Sequence, residues 1–405
     1  MLSIAVFTEC YHPMRNGVVV SISSFTRMLQ EMGHEVTIFT ARHPDQHGEE
    51  SHNIIRFPSI TFPVKLKYPI PIPIATREAR ERLQDGKFDV IHTHAPMMLG
   101  HFAMAYRLRS HLPLVFTYHT MIEDYTHYVP LPQGWSRRRA IDLSRIYCNA
   151  SDHVIAPTPA VEKRLRQYRV MSPISVIPTG IDIDIIDQIG PGNFREQYNI
   201  PQDVPLLAYA GRIAKEKNIP RLLSSFKEIA KKEPDTHLLL IGGGPYDTDV
   251  QKYIDDNNMA NRVRMTGFVP REQLIAGLKE ADIFIFSSLT ETQGLVIGEA
   301  MACNLPIVAV SADATRDLID NGCEGLLTND NDGEIAEATI ELINNRTRAA
   351  EMGIAARTRV ETISARKCTE RLIDIYHRVI SNSPSKHDST WHHMRAIFKM
   401  WMRRR

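Results

Sequence analysis

The chain has 405 residues, enough for two or three domains with sizeable cores. Its formal net charge of +1 excludes a general nucleic-acid binder, and its five cysteines, at 10, 148, 303, 323 and 368, follow no disulfide or metal-site spacing. No run of eighteen apolar residues occurs, and "MLSIAVFTECYHP" lacks the basic and long apolar regions of a secretory signal, so a cytoplasmic, reducing location is expected.

Taken in chain order, short apolar runs alternate with helical patterns. Strands are expected at 3–7, 36–40, 88–92, 114–118, 153–156 and 175–177, with a helix at 18–32 among them. Gly17 lies in the loop "RNGVVVSI" after the first strand. A proline-rich aliphatic stretch at 57–74 suits either a loop dipping into lipid or a packed edge connection. His92 and His94 end one strand in "DVIHTHAP", and His119 ends the next in "LPLVFTYH". "WSRRRAIDLSRIY", with Arg137, Arg138 and Arg139, has the pattern of a basic amphipathic helix. Such a helix either lies on an anionic surface or packs on its own protein with its charges solvated.

The alternation breaks where Pro, Gly and Asp cluster, and a linker is expected at 179–204. A second series of strands follows at 206–210, 237–241, 263–266, 282–287 and 306–310, with helices at 218–232 and 271–279. The expected fold class is α/β, with two doubly wound Rossmann-like domains facing across a cleft, 1–178 and 205–365. A helix at 366–382 is expected to return to the first domain, ahead of a basic tail at 383–405.

Most of the readable chemistry lies in the second series. "AGRIAKEKNI" leaves a strand with Arg212 and Lys217 five positions apart. Either cation alone suits a solvated turn, but two together with helix-end N–H groups suit a diphosphate. "LIGGGPY", with Gly243, permits close backbone approach or only a tight turn, and "TGFVP" carries Phe268 and Val269. In "SSLTETQGLVIGEAMACNLPIVAV", Glu291 closes a turn before Gly294, and Glu299 lies about one turn into the helix that Gly294 and Leu295 open. A helix start of small residues offers free N–H groups to an anion, and flanking carboxylates accept from hydroxyls. The macrodipole alone also favours glutamate near helix starts. "DID" at 182–184 looks like a metal string but sits in the expected linker, so no metal site is assigned. "DNGCEGLL" looks like a structural hairpin and "NDND" like a turn with an N-cap.

With "GRxxxEKN", "GFV" and the two glutamates spaced E-x7-E in this order, the chain resembles family 4 glycosyltransferases of the GT-B fold over about residues 1–380. The resemblance implies that Glu291 faces the donor sugar and Glu299 holds the ribose. Arg212 and Lys217 would bind the diphosphate and stabilise it as it leaves. Backbone at Gln293, Gly294 and Leu295 would touch sugar or phosphate, and backbone at Phe268 and Val269 would receive the base. Gly17 and Gly243 would lie near the donor, and His119 would approach the sugar from the first domain. Such enzymes retain anomeric configuration, with no metal and no other cofactor expected.

"YHTMIEDYTHYVP", containing Tyr125 and Tyr128, resembles the diacylglycerol glucosyltransferases of that family. This implies UDP-glucose as donor, diacylglycerol as the lipid acceptor and the inner face of the cell membrane as the place of work. The donor could also be UDP-galactose or GDP-mannose, and the acceptor another lipid or a soluble sugar. The tail "STWHHMRAIFKMWMRRR" carries five basic residues, and helical spacing puts Trp391 and Trp401 on its apolar face. That pattern suits an anionic membrane surface, a disordered end or another anion.

Overall fold

The computed structural model describes residues 1–14, 16–46, 51, 53–61, 69–124 and 132–383. Tyr125, Tyr128, Trp391 and Trp401 lie outside them, as do residues 62–68 of the proline-rich stretch and all of the basic tail after residue 383. The chain divides into two compact units: Met1–Gly180 with Arg366–Arg405, and Ile181–Ala365.

The first unit holds strands β1 (Ser3–Phe7), β2 (Glu35–Ala41), β3 (Ile54–Phe57), β4 (Ser59–Thr61), β5 (Pro69–Pro71), β6 (Val90–Thr93), β7 (Leu114–Thr117), β8 (His153–Ala156) and β9 (Ile174–Val176). Seven form one sheet in the order β3-β2-β1-β6-β7-β8-β9, while β4 and β5 pair separately and antiparallel. Every described pairing in the seven-stranded sheet is parallel. Strand order reverses between β1 and β6, where Ile4 pairs with Val90. A crevice forms at such a reversal because the connections leave toward opposite faces. The helix Gly17–Glu31 follows β1 and is capped by Asn16, whose Oδ1 accepts from the Val19 N–H at 3.0 Å.

The second unit holds β10 (Leu206–Ala210), β11 (His237–Ile241), β12 (Val263–Met265), β13 (Ile283–Phe286), β14 (Ile307–Val310) and β15 (Gly325–Thr328). Their order is β12-β11-β10-β13-β14-β15, again parallel, with the reversal between β10 and β13. "LLAYA", "IFIF", "IVAV" and, after His237, "LLLI" are continuous apolar runs because helices cover both faces of a parallel sheet.

Two expectations need correction. The stretch expected as a linker belongs to the second unit from Ile181 onward. It forms the helices Ile183–Gln188 and Phe194–Gln197, and Ile183, Ile186, Phe194 and Ile200 enter the core. Its Pro, Gly and Asp punctuate helix ends; they do not mark an unpacked segment. Asp182 in the same stretch is buried against Arg271. "DNGCEGLL" is not a hairpin: the chain turns at Gly322 (φ +86°) and runs into β15, a parallel edge strand on β14. Gly325 is required there, since a Cβ would lie 2.1 Å from the Ile307 carbonyl oxygen.

Candidate active site

Side chains of opposite charge meet beyond the β10–β13 reversal. Gly211 (φ +143°) follows β10, and the chain makes a 3-10 turn at Lys215–Lys217 before Asn218 enters the left-handed region (φ +56°). This brings Lys217 onto Glu291, and the two form an ion pair with side chains only 15% and 18% exposed. Arg212 pairs with Glu216 four positions on. The buried Ser287, just past β13, has its hydroxyl 3.0 Å from the Asn218 carbonyl and 3.2 Å from that of Lys217. Asn218 Nδ2 donates back to the Ser287 carbonyl at 3.3 Å. The β10 loop is thereby stapled to the strand that leads to Glu291. Gly294 (φ +73°) then opens the helix Leu295–Ala302 with no side-chain cap. An uncapped helix start beside a lysine is electrostatically ready for an anion.

Glu299 lies inside that helix and is 8% exposed. Burial pushes its carboxyl upward, while the Arg271 guanidinium opposes the shift. Arg271 Nε donates to Glu299 Oε1 at 2.7 Å, and its Nη1 reaches Asp182 Oδ2 at 3.2 Å.

The glycine triplet has a divided role. A Cβ on Gly242 would lie 2.0 Å from the Gly211 carbonyl oxygen, and one on Gly244 would lie 2.1 Å from that of Ile213. Those two glycines let the β11 loop pack on the β10 loop. Gly243 borders Phe268, a residue 66% exposed, while Val269 packs against the core. Gln293 and Leu295 are half-buried beside Gly294.

At the corresponding strand ends of the first unit, the ionisable groups are mainly imidazoles. His92 and His94 are buried, with ring centroids 4.2 Å apart. His94 Nδ1 and His119 Nε2 share a hydrogen bond at 2.8 Å, their rings stacked. His92 bonds the Tyr376 hydroxyl through Nδ1 (2.6 Å) and Thr117 through Nε2 (2.7 Å). Tyr376 comes from the helix Ala365–Ser381. Burial lowers His119 to about 4, burial and the neighbouring His119 lower His92 to about 3, and His94 falls well below its ordinary value. All three are neutral near pH 7, able to donate or accept a hydrogen bond but carrying no charge. Gly17 is the first residue of the helix that follows β1.

Arg137, Arg138 and Arg139 are exposed on the helix Gln133–Asn149. Its apolar face is used by the protein itself: Ala140, Ser144, Tyr147 and Cys148 are buried. Trp135 remains 46% exposed under the Arg139 guanidinium, 5.3 Å from its ring centroid. Spacing arguments pointed to Lys217 and Glu291, missed Ser287 and Arg271, and read Asp182 only as part of a metal-like string. Asn218 stood unremarked as the last letter of "GRxxxEKN".

Residues 15–185 match the family model described as Glycosyltransferase Family 4, and residues 192–359 match Glycosyl transferases group 1. The chain is 31% identical over 347 residues to an alpha-monoglucosyldiacylglycerol synthase of Streptococcus pneumoniae, covering 84% of this chain and 78% of that protein. It is 26% identical to the protein of the same name from Acholeplasma laidlawii, over 92% of this chain and 97% of that one. It is 27% identical to a sulfoquinovosyl transferase of Arabidopsis thaliana, over 86% and 68%. Among solved structures, sucrose-phosphate synthase from Thermosynechococcus elongatus superposes with a TM-score of 0.75 at 22% identity, covering 94% of this chain and all of that one.

Proposed function

We infer, from the premise that this chain belongs to glycosyltransferase family 4 and is a glycosyltransferase of the GT-B fold, that its donor is UDP-glucose and its acceptor diacylglycerol. The product would be an α-linked monoglucosyldiacylglycerol. The observation that carries the donor half is the Lys217–Glu291 pair beside the uncapped helix start at Gly294. Lys217 and Arg212 take the diphosphate, helped by the N–H groups at Gly294 and Leu295. Their positive charge is worth most as the sugar–phosphate bond breaks and charge builds on the leaving oxygen. Glu291, freed from Lys217 by that binding, accepts from sugar hydroxyls. Glu299 takes the ribose, and the backbone at Phe268 and Val269 takes the base. Gly243 and Gln293 border the same loops, and Gly17 and His119 are the first unit's candidates. No step in this scheme calls on a metal ion.

The acceptor half draws on the relatives, two of which are named for diacylglycerol glucosylation. Among the described residues, no helix is long and apolar enough to cross a membrane. Exposed Arg137, Arg138, Arg139 and Trp135 support peripheral attachment to an anionic inner membrane face. The sulfoquinovosyl relative favours a second reading, in which the transferred sugar differs. Incubation with UDP-glucose and diacylglycerol, followed by NMR of the extracted glycolipid, tests the first. A single α-linked glucose on the glycerol 3-hydroxyl is expected; a β-linked product or a different sugar position would overturn it.

A further inference from the structure

The contact between Arg271 and Glu299 does more than neutralise charge. Three elements converge on it: Asp182 comes from the turn before the helix Ile183–Gln188, Arg271 from the first turn of Arg271–Leu278, and Glu299 from Leu295–Ala302. Both carboxylates are buried, with side chains 5% and 10% exposed. A carboxylate withdrawn from water is costly unless it is paired and hydrogen-bonded. The planar guanidinium meets both partners through different nitrogens, Nε to Glu299 and Nη1 to Asp182. Only Oε1 of Glu299 is engaged; Oε2 accepts from no group among the described residues.

That asymmetry has a use. A carboxylate with one oxygen tied can rotate little, so its second oxygen keeps a fixed direction. A sugar hydroxyl approaching it meets a pre-oriented, charged acceptor. We propose that Arg271 is a positioning residue for the donor: it grips Glu299 by Oε1 and leaves Oε2 to take a ribose hydroxyl. This rests on the assignment of Glu299 to the ribose made above. The alternative role for Arg271 is purely structural, joining three elements of the second unit. Stability alone does not separate the two, because both roles lower it on mutation.

Discrimination against a missing hydroxyl separates them. The affinities of UDP and 2′-deoxy-UDP are measured by titration calorimetry on the full chain, with folding followed by circular dichroism. The wild type is expected to prefer UDP by about tenfold or more, the worth of a hydrogen bond to a charged group. Glu299→Gln should reduce that preference to within about twofold, since a neutral acceptor holds the hydroxyl weakly. Arg271→Met should do the same while the fold persists. Arg271→Lys keeps the charge but reaches one carboxylate at a time, and should lose about threefold or more of the preference. It also serves should the methionine variant not fold. If Glu299→Gln loses the preference while the Arg271 variants keep it in full, Arg271 is only a structural link and the proposal fails. If the wild type shows no preference, or Glu299→Gln retains it, the ribose assignment itself fails.

Discussion

The two units share a scaffold and differ in what they place on it. Each is a parallel sheet whose order reverses once, between β1 and β6 or between β10 and β13. Past β10 and β13 stand charges in pairs, Lys217 with Glu291 and Arg212 with Glu216. Past β6 and β7 stand neutral imidazoles, His94 bonded to His119 with His92 beneath. Paired charges can exchange a partner for a diphosphate, so the second unit is equipped for an anion. Neutral rings can exchange a hydrogen bond for one from a hydroxyl, so the first suits uncharged groups better than anions. The contrast lies on the link from side chain to function, since the backbone pattern is common to both.

The largest expected effect breaks the charged half. Glu291→Ala should lower turnover by about a thousandfold, the scale of a lost electrostatic contact in a transition state, with the fold intact by circular dichroism. Near-normal turnover by a folded variant would remove Glu291 from the site. Lys217→Ala should cost about a hundredfold in kcat/KM, much of it through a raised donor KM. His119→Ala sharpens the comparison because its unit is uncharged there. It should lower kcat by about a hundredfold while leaving the donor KM nearly unchanged. A large rise in donor KM would instead place His119 in anion binding. Deleting residues 391–405 should weaken binding to anionic vesicles by about tenfold or more and spare donor hydrolysis. Unchanged vesicle binding would end the role given to the tail.

The smallest effect concerns pH. His92, His94, His119 and His153 all have depressed values in the fold, His153 at about 4. The unfolded chain binds their protons first, so the stability they contribute is present above about 6.5 and is lost as pH falls toward 4. Glu9 acts the other way. Burial raises it to about 7, although it accepts from the Leu99 N–H, so its contribution is present below about 4.5 and is lost as pH rises through 7. Four imidazoles outweigh one carboxyl. The melting temperature of the first unit should fall by about 5 °C or more between pH 7 and pH 5. An unchanged or higher value at pH 5 would mean that the histidines are not held neutral by burial.

Sequence pattern carried some of these features and not others, for physical reasons. β10 and β11 are legible because their consecutive buried residues leave apolar runs, "LLAYA" and "LLLI". β15 is not, because four residues beginning with glycine follow a turn-like "DNGCE", and only the neighbouring β14 makes them a strand. β3 is obscured by Arg56, a charge inside the strand that is buried because it donates to the carbonyls of Ala41 and His12. Lys217 and Glu291 could be picked out by local motifs, although 74 positions separate them. Arg271 could not, since its partners lie 28 and 89 positions away and nothing in its own stretch calls for a cation. Local spacing reports how a helix or strand begins; only the folded chain reports which distant carboxylates share one guanidinium.

The most direct measurement of the central claim is transfer of label from UDP-glucose to diacylglycerol in anionic mixed micelles, with UDP-galactose and GDP-mannose run in parallel and Glu291→Ala as the control. A labelled glycolipid formed from UDP-glucose alone, and absent with Glu291→Ala, is the predicted result. Donor hydrolysis without glycolipid, or equal transfer from all three donors, would contradict it.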